Sequence, residues 1–279
     1  MGSALVLGGG GTAALAWHGA VLTALARSGV DLTGLDRIVG TSAGAIVAAR
    51  LMRGVPAAWL AADLRRARTL FPAGTGGHDG AVWAELLRAP GGRTAMLRRV
   101  GALPAPPGAA RRGAGLAARL QSWIGGAPWP VTPQIRIPVI DADTGETVVL
   151  GTGADADPVT ALRATCAVPG MLLAVPVAGR RCYDGGVGTP THADLAAGCD
   201  RVLVLAPFGE SIFGPVLDEE LARLAGCART VVIRADEAAL AGFGAEPFDG
   251  TGWPIVAAAG RAQGRAAAAQ VHALLSAPR

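Results

Sequence analysis

Three short segments of the chain carry residue types that could do chemistry together. Gly40-Thr41-Ser42-Ala43-Gly44 is a G-x-S-x-G sequence. Such a sequence exposes a serine hydroxyl when it forms a sharp strand-to-helix turn, because small flanking residues let the chain fold back tightly. Asp184-Gly185-Gly186 follows roughly 140 residues later. A carboxylate whose pKa is raised by burial, or whose hydrogen bonds are arranged for it, can take a proton from serine directly. The two glycines after it let the backbone pass close to another segment. Gly8-Gly9-Gly10-Gly11 is the third segment. A glycine loop at a helix start offers backbone N–H groups to an anion, which in acyl transfer is the oxygen of the tetrahedral intermediate.

Each segment also has a plainer reading. G-x-S-x-G arises by chance in a chain this rich in glycine and alanine, and D-G-G alone is an ordinary turn. The flanking pattern favours chemistry. Ala4–Leu7 is a short apolar strand that the glycine run ends, and Thr12–Ser28 reads as a helix stopped by Gly29. Arg37–Val39 is a second strand ending at Gly40, and Ala43–Arg53 a second helix closed by Gly54 and Pro56. Strand–helix–strand–helix at this spacing points to a parallel sheet with helices on its faces. Ser42 then sits between a strand and a helix, where its motif needs it.

Other elements are expected further along. Residues 56–70 read as a helix. From Phe71 to about Pro133 the pattern degrades into a Pro-, Gly- and Arg-rich insertion carrying Trp83, Trp123 and Trp129, with short helices at 81–88, 92–100 and 114–124. Order returns with strands at 137–142 and 147–150 around a Thr144-Gly145-Glu146 turn, then a helix over 158–168. A short helix over 191–197, a strand over 201–206, a helix over 217–225, a strand over 230–234 and an Ala-rich helix over 255–275 complete the chain.

The base for Ser42 has two candidates. An α/β-hydrolase triad needs a histidine after the acid. His18, His78, His192 and His272 lie in no motif built for that, and His272 falls inside the last expected helix. Asp184 fits better. A dinucleotide site is a further rival, because Gly9 to Ala14 can be read as G-x-G-x-x-A; that fingerprint wants an acid at the end of the second strand, where Gly40-Thr41-Ser42 stands instead.

Together the glycine loop after the first strand, G-x-S-x-G after the second and D-G-G far downstream resemble the patatin-like phospholipase family. Ala164-Thr165-Cys166-Ala167-Val168-Pro169-Gly170 is similar to the family's helix-ending segment before the aspartate. The resemblance covers roughly 4–70 and 135–206. It implies a three-layer α/β/α fold with a mainly parallel central sheet, one domain over 1–279 carrying the insertion at about 71–133, and a Ser–Asp dyad without histidine. It also implies hydrolysis of lipid acyl esters with no cofactor and no metal. By motif position Ser42 is the nucleophile, Asp184 the base, and Gly9, Gly10 and Gly11 line the oxyanion hole. The chain departs from the family where its three glycines are usually followed by any residue, then Arg or Lys, then Gly; here Thr12-Ala13-Ala14 stands, so a cation is missing, and Trp17 replaces a common His. Those departures leave room for an acyltransferase or thioesterase acting on a carrier-bound chain, or for a weakened enzyme.

Composition agrees with this class. The 279 residues are 51% hydrophobic and 16% charged, which suits a large buried core and excludes a disordered or coiled-coil chain. The net charge of +4 is mild and the arginines cluster loosely in 63–68 and 88–119, which argues against nucleic acid as a partner. They suit either a solvated surface or one that meets anionic lipid headgroups at a membrane. Cys166, Cys182, Cys199 and Cys227 match no zinc spacing and read as reduced. The uncharged run 4–26 is interrupted by its glycines and lacks a preceding basic residue, so it reads as interior structure rather than a span or leader, and the expected location is the cytoplasm.

Overall fold

A computed structural model of the chain describes residues 2–70, 85–86, 88, 90–208, 216–244, 248 and 250–276. The strands are β1 (Ser3–Leu7), β2 (Arg37–Gly40), β3 (Gln134–Asp141), β4 (Thr147–Gly151), β5 (Val175–Val177), β6 (Arg180–Asp184), β7 (Arg201–Ala206) and β8 (Arg229–Arg234). The helices are α1 (Gly11–Arg27), α2 (Ala43–Met52), α3 (Leu60–Leu64), α4 (Gly92–Gly101), α5 (Ala109–Ile124), α6 (Pro158–Thr165), α7 (Val216–Leu224), α8 (Glu237–Phe243) and α9 (Trp253–Ser276).

One sheet runs through the molecule. β3, β2, β1, β7 and β8 are parallel neighbours in that order, while β4, β6 and β5 join antiparallel beyond β3. Alternation along the central strands sends side chains to opposite faces. Leu5, Leu7, Leu203 and Leu205 enter a core shared with α1, α2, α6 and α9. Ala4, Val6, Val202 and Val204 enter a second core with Ala193, Ala196 and α7. Both faces are therefore covered, which makes three layers and explains why these strands carry apolar residues on both faces after their first positions.

The register along β3 decides the site. β4 pairs with both Arg136 and Ile140; β2 also pairs with Arg136, and β6 also pairs with Ile140. A strand has two edges, so β2 and β6 must share the edge opposite β4. They run towards each other along that edge: β2 ends its pairing at Val39↔Arg136, and β6 ends at Asp184↔Val139. The gap between them falls at residues 137 and 138. Asp141 N–H points to β4 and Ala142 N–H to β6, so the position-138 amide would face the shared edge. Proline there leaves no donor without a partner. The Pro138 carbonyl accepts from Thr165 Oγ1 at 2.9 Å, and the same hydroxyl accepts from Ser42 N–H at 3.0 Å. Thr165 is fully buried and bridges the junction.

The expected strands and most expected helices are present, and several regions differ; the short helix expected over 191–197 is a 3-10 turn at Ala193–Ala196. The helix expected over 56–70 is broken into a 3-10 turn at 57–59, α3 and a second 3-10 turn at 65–69. Thr23 Oγ1 inserts into it, donating to the Ala57 carbonyl and accepting from Ala61 N–H at 3.0 Å each, in place of the helical bond those groups would make. The helix expected to 168 ends at Thr165, and α8 was not foreseen. The expected helix at 81–88, with Trp83, lies largely outside the described residues.

The described part of the insertion packs on the body. Leu116, Leu120 and Ile124 of α5 join the main core, and Met96, Leu97 and Val100 of α4 cover Ile140 and Tyr183. Trp123 and Trp129 lie under Arg50 and Arg53, at 5.0 and 5.6 Å from the ring centres. Arg112 and Arg119 donate to the Met171 and Leu70 carbonyls. Among the described residues no helix is long and apolar enough to cross a membrane.

Two glycines separate packing from propensity. A methyl group on Gly44 would lie 2.0 Å from the Leu7 carbonyl oxygen, whereas on Gly113 of α5 it would meet nothing within 4 Å. G44A is expected to lower stability by about 3 kcal/mol through overpacking, and G113A to raise it by about 0.5–1 kcal/mol through helix propensity. T165V, which leaves the Ser42 amide and Pro138 carbonyl unpaired, is expected to cost about 2–4 kcal/mol. Urea unfolding of the three variants checks all three signs.

Candidate active site

Ser42 stands at the turn from β2 into α2, with φ 51° and ψ −116°. Positive φ in a non-glycine residue stores strain of about 1–3 kcal/mol and persists only where the surroundings impose it. Here the two motif glycines impose it. Gly44 lies against the end of β1, and a methyl on Gly40 would come 2.7 Å from the Ala45 Cα. A serine preceding a helix ordinarily caps it with its side chain. Ser42 makes no such cap; its Oγ donates to Asp184 Oδ2 at 2.8 Å. The hydroxyl and the carboxylate foreseen as partners are thus brought together, by β2 and β6 meeting end to end.

Asp184 is 3% exposed and Ser42 6%. The other carboxylate oxygen, Oδ1, accepts from Gly186 N–H at 2.7 Å. Burial pushes the Asp184 pKa up to about 7, against the pull of the Ser42 and Gly186 hydrogen bonds, which favour the anion. The carboxylate therefore titrates near neutrality. It is basic enough to receive a proton and still ionised over much of the physiological range.

The glycine loop lies alongside. A methyl on Gly9 would touch Ser42 Cβ at 3.4 Å. The Gly8 and Gly9 amides are already engaged, donating to the Leu205 carbonyl at 3.0 Å and the Pro190 carbonyl at 2.7 Å. Gly9 lines the site, but its N–H already donates elsewhere. The Gly10 and Gly11 amides have no hydrogen-bond partner among the described residues; nor has that of Ala43, at the first position of α2. Gly10 has φ 145° and Gly11 φ 65°, values that admit glycine and little else. Gly10, Gly186 and Phe208, whose ring lies 3.0 Å from where a Gly10 methyl would be, keep partial exposure around the otherwise closed hydroxyl.

The four histidines serve other ends where they are described. His18 is fully buried, and its Nε2–H donates to the Gly8 carbonyl at 2.8 Å. Burial pulls its pKa down to about 4, so the ring is neutral. It holds the glycine loop at its first residue, Gly8. His192 donates to the Gly185 carbonyl at 3.0 Å. His272 is exposed and sits 3.4 Å from Ser276 Oγ. His78 lies outside the described residues.

Sequence reasoning missed Thr165 and Cys166 as site residues, although it had marked the segment that holds them. Cys166 is buried against Ser42, and burial and the Asp184 charge push its thiol well above the usual range, so it stays protonated. It also missed His18, His192 and the Pro190 carbonyl. None carries a motif: His18 and His192 bond to carbonyls only ten and seven residues away, at no recognisable spacing, and the Pro190 contact exists only once the 185–193 segment lies beside the end of β1.

A family model described as patatin-like phospholipase matches residues 5–196. Among solved structures, VipD from Legionella pneumophila aligns with a TM-score of 0.49 and 13% identity, over 97% of this chain and 66% of that one. The type III effector protein ExoU aligns with a TM-score of 0.44 and 18% identity, over 97% of this chain and 53% of that one. The chain thus spans about two thirds of the first protein's length and about half of the second's. Comparison with curated proteins finds no match. The matched span covers well over half of the chain and contains the glycine loop, Ser42, Thr165 and Asp184, so the chain belongs to the patatin-like phospholipase family.

Proposed function

We propose that this protein is a serine-dependent lipid acyl hydrolase, with Ser42 as nucleophile and Asp184 as its base. The observation that carries the reading is the 2.8 Å hydrogen bond from Ser42 Oγ to a buried carboxylate poised to titrate near neutrality. Family membership supports acyl esters of lipids as the substrate class.

In the first step Asp184 Oδ2 takes the Ser42 proton as Oγ bonds to the ester carbonyl carbon. The carbonyl electron pair moves to oxygen and makes an oxyanion. The Gly10, Gly11 and Ala43 amides are the donors we assign to it, each worth about 3–4 kcal/mol if aimed at that oxygen. The intermediate then expels the alcohol, which takes the proton back from Asp184, and an acyl-serine remains. In the second step Asp184 takes a proton from water, the hydroxide oxygen attacks the acyl carbon, and Ser42 leaves with the proton. The ester and one water molecule are the reactants, and Ser42 and Asp184 end each turnover in their starting protonation states.

Three outcomes are expected. S42A and D184N each lower esterase kcat by more than about 1,000-fold on p-nitrophenyl acyl esters, and S42A abolishes labelling by a fluorophosphonate mapped by mass spectrometry; full activity in both variants would sink the reading. For the wild type, kcat/KM rises with pH through about 7 and then levels, because the base must be ionised. Stability moves the other way. The folded-state pKa of Asp184 lies above its ordinary value, so its contribution is present in acid and is lost as pH rises through about 7. D184N should therefore be more stable than wild type at pH 8, with the difference shrinking towards pH 4, in thermal melts across that range.

A further inference from the structure

The segment after Asp184 is held in place by a single buried carboxylate on another element. Glu220, on α7, is 2% exposed and lies outside the span that defines the family. Its Oε1 accepts from Thr189 Oγ1 at 2.5 Å, and its Oε2 accepts from Thr191 Oγ1 at 2.6 Å and from Ala193 N–H at 2.8 Å. Between the two threonines stands Pro190, whose carbonyl receives the Gly9 N–H. In the same segment His192 donates to the Gly185 carbonyl, which also receives the Gly188 and Thr189 amides at 3.0 and 3.3 Å. Gly185 is the residue next to Asp184. Thus one carboxylate fixes a stretch of chain that touches the glycine loop at one end and the aspartate's turn at the other.

We propose that Glu220 is a positioning residue for acyl transfer, setting the glycine loop and the Asp184 turn in register with each other through the 189–193 segment. The inference rests on the reading of Ser42 and Asp184 given above. A carboxylate buried this deeply is costly unless its lone pairs are filled, and here three donors fill them from one segment. His192, Asp194 and Glu220 also bring possible ligand atoms within 4.8 Å of one another. Yet Glu220 already holds three donors and Asp194 faces Arg223 at 3.4 Å, so the cluster is built as a clamp and not as a cation site.

The test compares E220A, E220Q and T189V by esterase kinetics and by the rate of fluorophosphonate labelling at Ser42. Circular dichroism establishes that each variant is folded. E220A is expected to lower kcat and the labelling rate by about 100-fold, as misplacement of reacting groups does, with KM changed by less than about threefold. E220Q can still accept from Ala193 and Thr191 and donate to Thr189, so it is expected to keep both rates within about threefold of wild type. T189V, which removes one donor and is the informative variant if E220A does not fold, is expected to lose about tenfold in labelling rate. Wild-type rates in a folded E220A or in T189V would overturn the assignment, as would E220Q falling as far as E220A. S42A separates the two claims. An inactive S42A beside a fully active E220A removes only Glu220's role, whereas an active S42A removes the dyad reading itself.

Discussion

A hydroxyl and a carboxylate meet 2.8 Å apart where almost no water reaches them, and the rest of the architecture follows from making that meeting possible. The two groups sit at the ends of strands that approach head to head along one edge of β3. Neither strand could be extended by a residue or two without colliding with the other. Pro138 at the gap and the Thr165 bridge finish the junction by satisfying the carbonyl and the amide left over where two ladders stop. A parallel strand and an antiparallel strand are both needed, because only opposite directions bring two C-terminal ends face to face.

Strain and burial are the energetic consequences. Ser42 is held at positive φ because Gly40 and Gly44 allow α2 to start directly against the end of β1. Its side chain gives up the cap it would otherwise make and turns to Asp184. Asp184 loses hydration, and this raises its proton affinity into the neutral range against the pull of its hydrogen bonds from Ser42 and Gly186. Both features lower the stability of the fold at the point where reactivity is wanted, a combination typical of functional sites.

The glycine loop is anchored through its first two residues, Gly8 and Gly9. With Ala13 in place of a cation, the loop is held by contacts from three directions: His18 on the Gly8 carbonyl, the Leu205 carbonyl on the Gly8 amide and the Pro190 carbonyl on the Gly9 amide. All three holders are uncharged. The amides at 10 and 11 have no partner among the described residues, and the backbone dipoles at the start of α1 add positive potential there.

The sequence by itself determined the parts. Apolar runs of strand length, the glycine-interrupted uncharged stretch, G-x-S-x-G between a strand and a helix, and D-G-G are local patterns, and local patterns follow from propensity and periodicity. They located the central strands, α1, α2, α9, Ser42 and Asp184. Only the tertiary structure decided what depends on contacts distant in sequence. The break between residues 56 and 64 needs Thr23 to arrive from another helix. The use of the Gly9 amide needs Pro190, and the end-on placement of β2 and β6 needs the register of β3. Hydrogen-bond partners far apart in the chain leave no periodic trace, and the pKa of Asp184 is set by the water that folding removes, which no residue spacing records.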